Sequence, residues 1–271
     1  MDSFQAFVFG LVQGLTEFLP VSSSGHLVLV PWWLGWDDPG LAFDALLHWG
    51  TLLAVLIYFW RDWWEMVMAL VHKLQGQPTQ GKDRLLLAIL AGTVPAALLG
   101  FLLEDFFESL FGQPALVSVF MIITGFLLIF AERRTRTQIQ AKPMEQLRVP
   151  DAIFVGMGQA LAIAPGISRS GSTIAAGLVR QLDRPTAARF SFLLGTPIIL
   201  GAGLLKLDDL MAMGTGTTGF MPLMVGFFTA FVTGILAIRY LLRYLQQHTL
   251  NVFAYYVWAV AILSLARYVW M

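Results

Sequence analysis

The sequence predicts an all-α polytopic membrane protein: an inverted-topology repeat with six transmembrane helices and two re-entrant helix hairpins. Three observations predict this class: few charged residues, six long apolar segments, and two further apolar stretches that are broken in the middle. Hydrophobic residues make up 57% of the chain and charged residues 13%, where a soluble domain has roughly 25% charged residues. The formal net charge is zero and cysteine is absent. Nothing therefore indicates nucleic-acid binding, and disulfides and thiolate metal sites are excluded.

The six apolar segments are long enough to cross a hydrocarbon core, which takes about 20 helical residues. Tryptophans at 32, 33 and 36, and again at 60, 63 and 64, mark two membrane interfaces. An amphipathic helix that lies along the membrane surface is expected from Asp62 onward. The spans are predicted to begin near Ala42, Leu85, Ala115, Phe190, Gly219 and Leu250.

Two other apolar stretches, 3–34 and 151–179, are interrupted by Pro, Gly and Ser at 20–25 and 165–171. Each half is short for a span, which indicates helices that enter the membrane and turn back. With both stretches re-entrant, one side of the membrane receives most of the 17 basic residues and the other receives Lys206 and Arg267. The positive-inside rule favours this arrangement and makes the basic side cytoplasmic, with both termini outside.

The two broken stretches also resemble each other. A shift of 146 residues places QGLTEFLPVSSSG on QALAIAPGISRSG and matches Gln13, Leu15, Ser22, Ser24 and Gly25 with Gln159, Leu161, Ser168, Ser170 and Gly171. Each copy precedes three spans, and because three is odd, the second copy must be inverted relative to the first. We expect one membrane domain over 1–271, with repeat 1 at about 1–134, repeat 2 at about 147–271 and a polar linker at 135–146. In such repeats the broken helices meet near the midplane and form a polar site.

Glu17 is the first candidate site residue, because an ionisable side chain inside a bilayer is costly and is functional by default. Gln13 and Glu17 are four residues apart and share a helix face. Their carboxylate and amide oxygens suit a hard divalent cation, Mg²⁺ or Ca²⁺. The alternative is that Glu17 only caps or pairs with a buried group.

The segment PVSSSGH, 20–26, supplies helix-breaking and N-capping residues, so a helix N-terminus that can bind an anion is expected here. The candidate phosphate-binding residues are Ser22, Ser24 and Gly25, and Ser23 is a candidate catalytic residue. His26 would lie in the first turn and exchange a proton with a bound group, a purely structural histidine being the alternative.

ISRSGS, 167–172, is the matching segment of the second copy. Arg169 offers a planar fork of donors that fits phosphate oxygens, and Ser168, Ser170 and Gly171 would complete a phosphate cradle. The alternative for Arg169 is a salt bridge to Glu17 that joins the repeats. A hard-metal ligand pair, a helix N-terminus, a histidine and an arginine together indicate phosphoryl transfer. Asp44 and His48, four residues apart on a span, are interpreted either as support for this site or as an interhelical pair.

These motifs, QGLTEFLPVSSSGH and PGISRSG, together with FDALLHWGTLLAVLIYFW and FSFLLGTP, resemble the bacterial undecaprenyl-diphosphatase family, also called bacitracin-resistance proteins. The resemblance covers essentially the whole chain. It implies hydrolysis of the lipid undecaprenyl diphosphate to the monophosphate, which recycles the carrier of peptidoglycan precursors, with dependence on a divalent metal. It also implies an inner-membrane location and a site open to the periplasm.

Residue by residue, the family's Glu-or-Gln, three residues, Glu motif falls on Gln13 and Glu17, where Gln13 brings one negative charge fewer than Glu would. The family's motif serine, essential histidine and arginine fall on Ser23, His26 and Arg169. We expect Ser23 or a water to attack in line, with His26 as acid/base or as the nucleophile itself. Membrane lipids surround the protein, and a homodimer is one oligomeric state that the sequence allows.

Two rival interpretations remain at this stage. An inverted repeat with broken helices is also a transporter architecture, and a flippase for polyprenyl phosphates would use the same anion site. The type-2 phosphatidic acid phosphatases share the SGH and SR fragments. They are disfavoured because no histidine followed four residues later by aspartate comes after Arg169.

Overall fold

The computed structural model describes residues 1–79, 81–135, 141–206, 208 and 219–270. Residues 136–140 of the predicted linker lie outside this part. A 3₁₀ turn, Met144–Gln146, precedes the second half. The α-helices of the described residues are α1 Ser3–Phe18, α2 Ser23–Leu34, α3 Leu41–Tyr58, α4 Trp60–Leu74, α5 Lys82–Leu102, α6 Glu104–Phe111, α7 Pro114–Thr135, α8 Val149–Leu161, α9 Arg169–Val179, α10 Arg184–Leu205, α11 Phe220–Tyr244 and α12 Asn251–Trp270.

Six of these helices, α3, α5, α7, α10, α11 and α12, are long and apolar enough to cross a membrane. They coincide with the six predicted segments and confirm a polytopic all-α membrane protein. Large apolar side chains remain exposed on their outer faces, including Leu98, Phe126 and Ile262. Such surface would aggregate in water, whereas lipid tails cover it. Helix α4 forms where the amphipathic surface helix is predicted.

Both broken stretches are pairs of short helices in contact with each other, α1 with α2 and α8 with α9. The breaks run over 19–22 and 162–168, whereas the predicted interruptions are 20–25 and 165–171. Both breaks therefore begin earlier than predicted, and both second helices start within the predicted interruptions. The reason is that a serine side chain caps the new helix as soon as the turn is complete: Ser22 Oγ accepts from the Gly25 N–H and Ser168 Oγ from the Gly171 N–H. With 11 to 16 residues each, the four helices are shorter than any of the six spans.

Each broken pair packs against a span from the other half of the chain. Helix α1 packs along α11, and α8 packs along α5. Both crossings depend on glycine: a Cβ on Gly10 would lie 2.5 Å from the carbonyl oxygen of Gly226, and one on Gly156 would overlap the carbonyl of Gly92. Gly10 and Gly156 are 146 residues apart, the same shift that aligns the two motifs. The halves are thus interlocked, and the two breaks meet in the interior.

Candidate functional site

The carboxylate of Glu17 is the centre of a buried polar cluster; only 6% of the residue is exposed. Its Oε2 accepts hydrogen bonds from Gln13 Nε2 at 3.0 Å and from Ser23 Oγ at 2.6 Å. His48 Nε2 lies 3.5 Å from the same oxygen. The other oxygen, Oε1, accepts from Arg169 Nη2 at 2.5 Å. The two sequence motifs therefore converge on one carboxylate, as the sequence predicts.

Arg169 reaches this carboxylate from the start of α9. Its Nη2 forms the salt bridge to Glu17, while Nη1 has a longer hydrogen bond, 3.4 Å, to the backbone oxygen of Ser191. A guanidinium has five N–H donors, so these two bonds leave donors for a further anion. The salt bridge that the sequence analysis raised as an alternative is present in this structure. It does not exclude phosphate binding by the remaining donors.

The N-termini of α2 and α9 meet beside this pair. The hydroxyls of Ser22 and Ser24 lie 3.3 Å apart, and those of Ser168 and Ser170 lie 3.2 Å apart, so a pair of adjacent serine hydroxyls stands at the start of both helices. They are also joined to each other: Ser24 Oγ accepts from the Gly166 N–H, and Ser170 Oγ donates to the Leu19 carbonyl. Two helix N-termini in one place concentrate backbone N–H donors and positive dipole ends, which favours an anion.

Two backbone features hold the breaks in shape. Ser22 has a φ of 72°, the left-handed region that costs a side-chain-bearing residue about 1 kcal/mol or more. Gly166 has a φ of 101°, and a Cβ there would overlap the Val117 carbonyl of α7. Thr124, also on α7, accepts from the Ser168 N–H at 3.0 Å and donates to the Gly166 carbonyl at 3.1 Å. Strain of this kind persists where the surrounding structure enforces it, often at functional sites.

His26 lies in the first turn of α2, as predicted, and is 6% exposed. Its Nδ1 is 2.7 Å from the Ser22 carbonyl, which can only accept, so Nδ1 carries a proton. Its Nε2 is 2.9 Å from the Tyr256 hydroxyl of α12, whose ring lies parallel to the imidazole. In the described part of the chain its ring hydrogen bonds go to these two residues and not to Glu17, Ser23 or Arg169. The histidine therefore adjoins the cluster through Ser22 rather than by direct contact.

One oxygen atom next to Glu17 is available to bind a cation. The Oε1 of Gln13 is buried without a hydrogen-bond partner among the described residues. His48 Nδ1 is held by the Asp44 backbone carbonyl at 2.7 Å, which leaves Nε2 to face Glu17. The described residues contain no group of three or more His, Cys, Asp or Glu side chains placed to hold a metal. A cation here would therefore be held by one carboxylate, by neutral ligands and by oxygens of a substrate bound beside it.

The structure brings most of the predicted site together. Gln13, Glu17, Ser23 and Arg169 are in direct contact, and the capping residues Ser22, Ser24, Gly25, Ser168, Ser170 and Gly171 form the two helix starts around them. His48 contacts Glu17 itself, which favours the supporting role over an interhelical pair. Sequence reasoning missed the roles of Tyr256, Thr124 and Gly195, because tyrosine, threonine and glycine are ordinary residues of a packed span.

Gly195 of α10 provides the space for the Arg169 side chain, since a Cβ there would overlap the guanidinium. We expect Gly195→Ala to displace the guanidinium from Glu17 and lower turnover by at least about tenfold, since small displacements of a positioning group are costly. The matched control is Gly201→Ala on the same helix, where a Cβ meets nothing within 4 Å. Steady-state assays of the phosphate release that the motif resemblance implies check this prediction in both variants, and equal rates would contradict it.

Comparison with known proteins identifies the family of this chain. The model of the family described as "Bacitracin resistance protein BacA" matches residues 6–263. The undecaprenyl-diphosphatase of Carboxydothermus hydrogenoformans is 47% identical over 97% of this chain and 96% of its own. Those of Desulforudis audaxviator and Gemmatimonas aurantiaca are 46% and 44% identical, each over 94% of both chains. The resemblance seen in the motifs is thereby confirmed, and the chain belongs to the bacitracin resistance protein BacA family.

Proposed function

We propose that this protein hydrolyses undecaprenyl diphosphate to undecaprenyl phosphate and inorganic phosphate, and so recycles the lipid carrier for peptidoglycan synthesis. The observation that carries the proposal is the convergence of Glu17, Ser23 and Arg169 between two helix N-termini, inside a membrane protein whose named relatives are undecaprenyl-diphosphatases. A carboxylate next to a hydroxyl can activate that hydroxyl as a nucleophile, and the cationic donors can stabilise the negative charge of a phosphate.

The substrate headgroup would bind where the two helix starts meet, with its prenyl tail left in lipid. Arg169 has unused N–H donors, and the first turns of α2 and α9 have N–H groups without intrahelical acceptors. These groups carry positive charge or dipole ends, and negative charge develops on the departing undecaprenyl phosphate as the anhydride bond breaks. Preorganised donors in a water-poor site stabilise such charge strongly.

We propose Mg²⁺ or Ca²⁺ as the cofactor, held by Glu17 with Gln13. One observation supports the fit: the buried Oε1 of Gln13 is an oxygen ligand without a hydrogen-bond partner among the described residues, on the side chain that already bonds to Glu17 through Nε2. Mg²⁺ typically takes one or two carboxylates plus substrate phosphate oxygens, which suits a site this poor in acidic residues. When bound, the cation neutralises charge on the diphosphate oxygens.

Ser23 is the nucleophile that the hydrogen bonding favours, because its hydroxyl donates to Glu17 Oε2 at 2.6 Å. In this scheme Ser23 Oγ bonds to the terminal phosphorus as its proton passes to Glu17, and the bond to the undecaprenyl phosphate oxygen breaks. Water then hydrolyses the phosphoserine and releases inorganic phosphate. His26 would exchange a proton with that water through Nε2, the ring nitrogen that its contact with Ser22 leaves as an acceptor, once the water replaces the Tyr256 hydroxyl there.

The proposed location is the bacterial inner membrane, with the site open to the periplasm as the family resemblance implies. The asymmetry of the basic residues supports this orientation through the positive-inside rule. The paired glycine crossings of α1 with α11 and of α8 with α5 support two related halves.

Product analysis tests the proposed function. Purified full-length protein in detergent would be incubated with undecaprenyl diphosphate and Mg²⁺ or Ca²⁺, and the lipid products separated by mass. We expect undecaprenyl phosphate and inorganic phosphate in equal amounts. Intact diphosphate after long incubation, together with its transfer across the bilayer of proteoliposomes, would contradict the enzyme and indicate a carrier instead.

A further inference from the structure

A cavity of about 860 Å³ lies apart from the Glu17 site, where the starts of α5 and α8 meet the segment 142–148. Four basic side chains and one carboxylate line it, which gives a formal charge of +3. The charged lining residues are Arg84, Lys142, Arg148, Arg180 and Asp151. This is the side that the charge asymmetry assigns to the cytoplasm.

The carboxylate in the cavity is already satisfied. Asp151 is 2% exposed and accepts from Lys142 Nζ at 3.0 Å, from the Arg148 backbone N–H at 3.2 Å and from Arg180 Nε at 2.7 Å. These bonds fix Lys142 and Arg180 at the cavity wall. Arg84 and Arg148 are exposed, and no carboxylate in the described part of the chain lies within ion-pair distance of either guanidinium. The cavity therefore has an excess of positive charge with two free guanidinium forks.

Apolar surface continues from the charged cavity along the helices. Leu87 and Val149 line the cavity itself, and each is 43% exposed. Ile153, 39% exposed, follows Val149 by one turn on the same face of α8. The Arg180 guanidinium lies 5.7 Å from the ring centre of Phe154, which is 40% exposed. Cations next to an exposed apolar strip fit a ligand with a phosphate head and a hydrocarbon tail.

We propose that this cavity binds the phosphate headgroup of an anionic membrane lipid, with Arg84 and Arg148 on the phosphate and the acyl chains along Leu87, Val149 and Ile153. Basic pockets between transmembrane helices on the cytoplasmic side hold lipid headgroups in this way. The exposed apolar strip favours a lipid over a free anion, because a free anion would leave it uncovered. The site is separate from the proposed active site and does not depend on its chemistry.

Native mass spectrometry of the full-length protein, titrated with phosphatidylglycerol, tests the proposal. The variant Arg84→Gln/Arg148→Gln should weaken phosphatidylglycerol binding about 30-fold, as expected for about a fivefold loss per basic group. The matched control is Arg239→Gln/Arg243→Gln, two exposed arginines of α11 that do not line the cavity. It should change binding less than twofold.

Three results would overturn the proposal. Equal weakening in both variants would show general surface charge, and no weakening in the cavity variant would show that these arginines do not bind lipid. Inorganic phosphate that binds the wild type as tightly as phosphatidylglycerol does would make the cavity a site for a free anion. Both variants remove only exposed groups, so their melting temperatures should match the wild type. Because the readout is lipid binding, a failed phosphatase assay would not affect it.

Discussion

Arg169→Ala should lower phosphate release from undecaprenyl diphosphate by about 10²- to 10³-fold, the usual cost of removing one donor from a preorganised anion site. Among the described residues, two side chains that can carry positive charge contact Glu17, Arg169 and His48. Arg169 is always charged, whereas His48 is charged only when it is protonated. Loss of Arg169 leaves the phosphate with the helix N-terminal dipoles and the proposed cation. Steady-state kinetics over a range of substrate concentrations would measure the effect.

Folding must be separated from catalysis in this variant, since breaking a buried ion pair can cost several kcal/mol of folding free energy. Arg169→Lys is the control, because it keeps a positive charge next to Glu17 but removes the planar fork. We expect Arg169→Lys to melt close to the wild type and still to lose at least about tenfold in turnover. A folded Arg169→Ala variant with normal turnover would exclude the composite site built from both breaks.

Ser23→Ala should lower turnover by about 10³-fold or more, since it removes the atom that would form the covalent intermediate. The wild type, quenched during turnover, should contain phosphoserine at residue 23 by peptide mass. Ser118→Ala is a suitable control: this buried serine of α7 bonds to the Pro114 carbonyl of its own helix and lies outside the cluster.

A loss of less than about tenfold in Ser23→Ala, with no phosphoserine in the wild type, would instead identify water as the nucleophile. Oxygen from labelled water would then enter the released phosphate in a single step. In that case the hydrogen bond from Ser23 to Glu17 would serve to orient the carboxylate.

Sequence reasoning succeeds here for residues whose placement inside the membrane costs free energy. Glu17 and Arg169 are conspicuous because charge in an apolar segment needs a reason, and the structure joins them at 2.5 Å. The helix starts are also predictable, because serine is a strong N-cap and both breaks use it. The same physical rule, that few charges enter lipid, locates all six spans.

The remaining features depend on contacts between distant segments. Tyr256 holds His26 from 230 residues away, yet its position among the aromatic residues of α12 is unremarkable in the sequence. Thr124 fixes the second break from α7, and Gly195 makes room for Arg169 from α10. Such roles follow from which helices pack together, and a threonine or glycine in a span has no local pattern that indicates its partner.

Phosphate release by purified protein in detergent, with and without EDTA, in the wild type and in Glu17→Ala, tests the central claim most directly. The claim is that the carboxylate at the meeting of the two breaks, with its divalent cation, makes this protein a phosphatase. It predicts rapid release by the wild type with Mg²⁺ or Ca²⁺, and loss of release both with EDTA and in Glu17→Ala. Release that persists in Glu17→Ala, or that is insensitive to EDTA, would contradict it.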